Sequence, residues 1–329
     1  MAAVIGSGAL LLGGAGQVAA SAGPSRPQAP ATTAMCGTLK TAPTIKHVVI
    51  IMEENNSYSS IYKSASAPYI NSVIGSCGLA TAYHNVTHPS LPNYLALTYG
   101  GSLSQLQPFI FDCTPSPSCQ LGPTTNNVFN ELTGHGGWKG YDESMPTACD
   151  KSDVGNYAPR HNPAVYYTDL KTCSANDVPL GTTAKSALLT AFGSEATAPA
   201  LAFVTPNLCD DMHGGTGCPS NLILGGDNWL KSWLPLLTGT AVYKTSDTAV
   251  FIVWDEGSVG GFGENCATSP TDQSCHVVAM AVAPSVKKGT MVATQFTHYS
   301  LLKTVEDLLH VPELGLAKTA TSMVSGFNL

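Results

Sequence analysis

Three acid-bearing stretches each follow an apolar run: Glu53-Glu54-Asn55, Asp210-Asp211-Met212-His213 and Asp255-Glu256-Gly257. Any one alone reads as an ordinary cap or turn former. Three together deliver acids, an amide and a histidine to one edge of a fold, which favours a polar site. The fourth stretch is Thr87-His88-Pro89-Ser90-Leu91-Pro92-Asn93, directly ahead of an apolar helix pattern that ends at Gly100-Gly101. A hydroxyl at a helix N-terminus sits where free N–H groups and the helix dipole attract anions. That position suits a nucleophile attacking a phosphate. The plain alternative is an N-cap serine followed by proline.

The elements that must position these residues are legible as runs. Residues 46–52, 200–205, 249–254 and 277–283 are nearly continuous apolar stretches, as in strands buried on both faces. Helix-like patterns over 92–98, 127–132, 183–192 and 300–309 lie between or after them. Strands alternating with helices predict an α/β fold, a mostly parallel central sheet in an α/β/α sandwich. In such open sheets ligands bind beyond the carboxyl ends of the strands, where the acid stretches fall. Residues 113–126 form a Pro/Ser/Thr-rich loop expected on the rim.

With 43% hydrophobic and 11% charged residues, the chain can bury a large core, and global disorder is excluded. The net charge of −7 offers no basic footprint for nucleic acid. Residues 1–22 are apolar and end in Ala20-Ser21-Ala22, which reads as a signal peptide of a secreted protein. The first basic residue is Arg26, so the basic segment that normally opens such a leader is expected upstream. A membrane anchor is the alternative, weakened by the glycines in that stretch. No later segment is apolar enough to span, so no stable membrane span is expected in the mature chain. Residues 23–44 read as a flexible leader, and residues 45–329 as one domain. The ten cysteines suit an oxidising compartment. Pairs 113–119, 209–218 and 266–275 would close short loops, and 149–173 and 36–77 would complete the set, although spacing does not fix connectivity. The rival use of cysteine, a structural zinc site, lacks any C-x-x-C pair.

Ser90-Leu91-Pro92-Asn93 resembles the nucleophile motif of the alkaline phosphatase superfamily. The stretches HVVIIMEENNSY, APYINSVI, THPSLPNYLAL, RHNPAVYY, PNLCDDMHGG, VWDEG and THYSLL resemble, in order, the bacterial phosphoesterase family of that superfamily. That family holds secreted acid phosphatases, some acting on phosphatidylinositol 3-phosphate, and non-haemolytic phospholipases C. The resemblance covers about residues 45–320 and implies an alkaline phosphatase-like fold.

By motif, the resemblance places metal ligands on Glu54, Asn55, Ser90, Asp255 and Glu256. All are oxygen donors, which suit one hard divalent cation, Ca2+ or Mg2+, better than Zn2+. It makes Ser90 the nucleophile, and Arg160, His161 and His213 phosphate-contacting groups, with Asn127 a weaker candidate. His213 or His276 could protonate the leaving alkoxide; with Asp211, these two could instead be ligands of a second metal or phosphate-binding groups. Thr87 and Asn93 would support the nucleophile loop, and His298 would cap the last helix. His47 and His310 carry no motif and read as structural or solvated. The implied reaction is phosphate monoester hydrolysis through a phosphoserine, on a phosphorylated small molecule or phospholipid head group. The rivals are a phosphodiesterase or phospholipase C on the same core, and a secreted binding protein that lost catalysis. The intact Glu54-Asn55, Ser90 and Asp255-Glu256 sets argue against the latter.

Overall fold

The computed structural model describes residues 1–3, 34–258, 260–269 and 271–329. Two units divide the chain, Met1–Thr33 and Ala34–Leu329, and all the described strands and helices belong to the second. The expected signal peptide and most of the leader lie outside the described residues.

Nine strands form one sheet: β1 His47–Glu53, β2 Gly78–His84, β3 Trp138–Asp142, β4 Asp177–Pro179, β5 Leu201–Thr205, β6 Thr248–Trp254, β7 His276–Val282, β8 Thr290–Val292 and β9 Phe296–Thr297. Their spatial order is β8-β2-β7-β6-β1-β5-β3-β4, with β9 beside β2. All pairings are parallel except those of β7, which runs antiparallel to both β2 and β6. Every residue of β1, β5 and β6 is buried, as central strands covered on both faces must be. Two packed helix pairs flank the sheet: α1 Pro68–Ser76 with α3 Leu222–Thr238, and α2 Ser90–Tyr99 with α4 His298–Leu309.

All ten residues of α2 are buried. Its apolar side chains Leu91, Leu95 and Leu97 each contribute roughly 1.5–3 kcal/mol by leaving water. The helix stops at Gly100, whose φ of 71° is left-handed, the usual C-terminal signal. At the other end Asn93 ties down the preceding loop. Its Oδ1 accepts from the amides of Val86 (2.9 Å) and Thr87 (3.1 Å), and its Nδ2 donates to the carbonyls of Thr87 (2.8 Å) and Pro89 (3.0 Å).

The disulfides are Cys36–Cys77, Cys113–Cys119, Cys149–Cys173, Cys209–Cys218 and Cys266–Cys275, and no described cysteine is free. The first of these changes the reading of residues 23–44. Met35 to Leu39 are fastened: Cys36 is buried in its bridge, the Tyr243 hydroxyl donates to the Met35 carbonyl at 2.7 Å, and the amides of Thr38 and Leu39 donate to the Pro284 carbonyl.

Two expected helices are shorter than their patterns. The pattern over 183–192 yields only the helix Ala187–Ala191, because Lys185–Ser186 pairs as a strand with Gly181–Thr182. Residues 127–132 hold only Val128–Glu131. His298 does not cap α4; Thr297 does, in a capping box with Ser300.

Candidate active site

Strand register creates the site. β1 lies between β5 and β6, and Glu53 pairs with Trp254. Glu54 and Asp255 therefore leave the sheet side by side, joined by the Asp255 amide donating to the Glu53 carbonyl at 2.9 Å. On the other flank, the turn after β5 brings the Asp211 carbonyl to the Glu54 amide at 2.7 Å. The N-terminus of α2 closes the group. Ser90 Oγ donates to Glu54 Oε2 at 2.9 Å and lies 3.3 Å from Asn55 Oδ1.

Asn55 has φ 45°, a left-handed conformation that asparagine tolerates better than most residues. Its amide N–H donates to Asp255 Oδ1 at 3.1 Å, an oxygen that also accepts from the Glu256 amide at 2.6 Å. The Asn55 carboxamide stands 3.1 Å from Glu54 Oε2 and 3.0 Å from Glu256 Oε1. Turned nitrogen-inward, it donates to both. Turned oxygen-inward, it adds another oxygen to a group of oxygens, an orientation that a cation, or a proton on one of the neighbouring carboxyls, stabilises.

The electrostatics point the same way. Glu54, Asp211, Asp255 and Glu256 are all buried. Burial first, and mutual repulsion second, pushes the carboxyls of Glu54 and Glu256 well above their usual range. Burial raises Asp255 and Asp211 as well. Asp255 Oδ2 and Asp211 Oδ2 have no hydrogen-bond partner among the described residues. Buried carboxylates crowded in this way need a compensating cation or protons. Glu54, Asn55, Ser90, Asp255 and Glu256 together offer the all-oxygen donor set of a hard divalent cation. The residues present fit such an ion.

Beside this group stands His161, with Nε2 3.3 Å from Glu54 Oε2 and Nδ1 3.3 Å from Asp211 Oδ2. Its ring stacks on Tyr94, whose hydroxyl donates to Glu54 Oε1. Burial, then the charges of Arg160 and His213, hold the His161 imidazole well below its ordinary pKa. His213 neighbours it, ring centroids 5.4 Å apart. Its amide donates to Asp211 Oδ1 at 2.7 Å, and its Nδ1 pairs with the Gly214 carbonyl at 2.9 Å. Burial lowers the His213 pKa too. The Arg160 guanidinium bears on His161, His213, Asp211 and Asp112 through its charge, while its Nη1 meets Asp153 Oδ1 at 3.3 Å.

Glu54, Asn55, Ser90, Asp255, Glu256, His161 and His213 thus come together, with Arg160 at the edge. Asn127 and His276 do not join them. Asn127 is buried and caps the helix Val128–Glu131, its Oδ1 accepting from the Asn130 amide at 3.0 Å. His276 pairs with the Thr81 carbonyl at 3.0 Å and stacks on Tyr58 and His84. Thr87 Oγ1 turns to the His88 carbonyl at 3.4 Å, as a bracing hydroxyl would. His298 has a place near the site: its Nε2 meets the Asp255 carbonyl at 2.6 Å and its Nδ1 meets Tyr83 Oη at 3.0 Å.

Sequence reasoning gave no role to Tyr94 or Asp112. Tyr94 lies one helical turn after Ser90, so the spacing of the two was a signal that both face the same side of α2. Asp112 carries no motif, yet its Oδ1 accepts the Leu91 amide at 2.9 Å. The first amide after Ser90, expected to be free for a phosphate oxygen, is therefore engaged.

Residues 59–312 match the Phosphoesterase family. The phosphatidylinositol-3-phosphatase of Mycobacterium tuberculosis is 31% identical over 283 residues, covering 84% of this chain and 81% of that protein. An acid phosphatase of Aspergillus fumigatus is 28% identical over 262 residues, covering 77% of this chain and 53% of that protein, so the chain spans about half the length of that relative. Among solved structures, an alkaline phosphatase superfamily protein of Vibrio parahaemolyticus superposes with a TM-score of 0.57 at 11% identity, covering 89% of this chain and 75% of that one. Murine ectonucleotide pyrophosphatase/phosphodiesterase 5, in its inactive form with AMP, gives 0.57 at 11% identity, covering 82% and 96%. By sequence the chain belongs to the Phosphoesterase family, and its fold is that of the alkaline phosphatase superfamily.

Proposed function

We propose that the chain is a secreted, cation-dependent phosphatase that hydrolyses phosphate monoesters, with Ser90 as nucleophile. The observation that carries this reading is the convergence of Glu54, Asn55, Asp255 and Glu256 on Ser90 at the head of a buried helix. The names of the relatives, acid phosphatases and a phosphatidylinositol-3-phosphatase, support the monoester class and make a phosphoinositide head group a substrate to test. Five disulfides support an oxidising compartment, and no described helix is long and apolar enough to cross a membrane.

Glu54, Asn55, Ser90, Asp255 and Glu256 would hold the cation. Bound there, Ca2+ or Mg2+ lowers the pKa of the serine hydroxyl and neutralises charge on the phosphate. The Ser90 proton faces Glu54 Oε2, the acceptor that this chain offers. Ser90 Oγ forms the new P–O bond as the bond to the leaving oxygen breaks, leaving a phosphoserine. Water then attacks that phosphorus, the P–O bond to Ser90 breaks, and Ser90 Oγ takes its proton back from Glu54 Oε2 as phosphate is freed. With its Nδ1 engaged by Gly214, His213 has Nε2 available to give a proton to the leaving oxygen and recover it from the water. Arg160 supplies positive charge where the equatorial oxygens gather theirs.

A substrate panel tests the class. The protein should hydrolyse p-nitrophenyl phosphate and release phosphate from phosphatidylinositol 3-phosphate. Preference for bis-p-nitrophenyl phosphate or phosphatidylcholine would instead make it a phosphodiesterase or phospholipase C.

A further inference from the structure

The loop before Ser90 contains a histidine with no part in the proposed reaction. His88 is 2% exposed, and its Nδ1 lies 2.6 Å from Oε2 of Glu256, which is 6% exposed. The ring is held on its other sides. Nε2 faces Cys266 Sγ at 3.7 Å, within the Cys266–Cys275 bridge. Gly260 lies flat against the ring: a Cβ there would fall 1.9 Å from it, so only glycine fits. The backbone is tied as well, with the Gly263 amide donating to the His88 carbonyl at 2.8 Å and the Cys266 amide to the Val86 carbonyl at 3.1 Å.

This contact is built to turn one carboxylate. A carboxylate oxygen only accepts, and a disulfide sulfur is a poor partner, so the ring proton belongs on Nδ1 and is donated to Glu256 Oε2. With Oε2 engaged, Oε1 is the oxygen left facing the Asn55 carboxamide, 3.0 Å away, and the group around Ser90. We infer that His88 is a positioning residue, which fixes the rotation of the Glu256 carboxylate so that Oε1 is presented to the cation. The inference rests on the proposed cation site. His88 itself touches neither cation nor substrate; it acts through Glu256, as an outer hydrogen-bond partner tunes a metal ligand.

Asparagine and leucine at position 88 separate this role from packing. The two side chains have nearly the same shape, and both leave the space over Gly260 that the ring filled. Only asparagine has an N–H where Nδ1 stood. Chelator-stripped wild type, His88→Asn and His88→Leu are titrated with Mn2+ and followed by calorimetry, with urea midpoints and thiol counts as structural controls. The leucine variant should bind Mn2+ roughly 10–100-fold more weakly than the asparagine variant at equal urea midpoint. Its kcat/KM should climb toward that of the asparagine variant as Mn2+ is raised. Should the leucine variant not fold, His88→Gln takes its place, because its amide reaches toward Nε2 and not Nδ1. Equal Mn2+ affinity in the donor-bearing and donor-free variants overturns the role of His88 alone. A wild-type chain that takes up no divalent cation overturns the cation site, and the role of His88 with it.

Discussion

Ser90 Oγ and Glu54 Oε2 stand 2.9 Å apart although 36 positions separate them in the chain. The contact joins the head of α2 to the end of β1 and sets the proposed nucleophile against a buried carboxylate. Ser90→Ala should lower turnover by roughly three orders of magnitude or more, with fold and disulfides intact. Thr87→Ala should cost less than about tenfold, because among the described residues its hydroxyl bonds only the neighbouring His88 carbonyl. Acid quench during turnover, followed by peptide mapping, reads the outcome. Phosphate found on Thr87, or near-normal turnover without Ser90, would refute the assignment.

Removal of divalent cation should abolish activity, and Ca2+ or Mg2+ should restore it. Glu54→Gln and Asp255→Asn should each lose both turnover and bound metal, since both carboxylates face Ser90 from buried positions. Elemental analysis of the purified variants is the check. Wild-type metal content in either one means that the ion sits elsewhere.

Glu54, Asp255 and their chain neighbours are legible as strand-end residues and Ser90 as a hydroxyl at a helix head, whereas Arg160 and His161 enter through the family resemblance. Glu54 and Asp255 each follow an apolar run, and parallel pairing of two such strands leaves little choice but to set them side by side. Contacts made by side-chain direction were not visible. The types of His276 and Asn127 suited the chemistry, but one faces the Thr81 carbonyl and the other caps a helix. His88 meets Glu256 across 168 positions, and no local pattern encodes that. In the fold, α3 lies outside the four helix-like patterns; it holds Gly225, Gly226 and Pro235, poor helix formers, and Gly226 packs tightly on Met212, where a larger side chain would collide. β3 lies outside the four apolar runs, because Lys139, Gly140 and Asp142 interrupt it; Gly140 packs on Asp177.

Activity should fall as pH rises from the acid side. Burial holds His213 below its ordinary 6.5, so its proton-donating form is populated only at lower pH and is lost as pH climbs through that depressed value. The descending limb of the pH–kcat/KM profile, which reports the free enzyme, should therefore lie below pH 6.5, and His213→Asn should flatten it. A rate still climbing at about pH 9, well above the ordinary histidine range, would contradict a histidine donor and favour a hydroxide-driven reaction.

Away from the site, Glu306 predicts a stability change of definite sign. Its Oε1 accepts the Leu314 amide at 2.9 Å, and Oε2 has no partner among the described residues. Burial, partly offset by that hydrogen bond, pushes its carboxyl up to about 8. The folded state thus holds a proton that the unfolded chain releases above its ordinary pKa of 4.5. The stability linked to that proton is complete below pH 4.5 and is lost as pH rises toward 8. Glu306→Gln removes this dependence. Its Tm should exceed that of wild type at pH 8 by roughly 2–4 °C, with little difference near pH 4.5. Identical Tm values at both pH values would show that Glu306 is not buried as a neutral acid.

The helix that carries Ser90 has no residue turned to water. A nucleophile mounted on such an element cannot be re-aimed without repacking the core around it, so the reacting atom is a fixed point of the architecture. Variation in what the protein accepts must come from the segments that approach this point from outside: residues 107–112, which bring Asp112 to the Leu91 amide, and the loop after Glu256, which brings Gly260 to His88. Both carry an exposed aromatic side chain, Phe111 and Phe262, within ring contact of each other at 6.4 Å. Libraries meant to widen or narrow the substrate range belong on the exposed positions of those two segments, Phe111 and Phe262 first, with Asp112 and Gly260 kept, and the same diversity placed on residues 90–99 would be spent on unfolded protein.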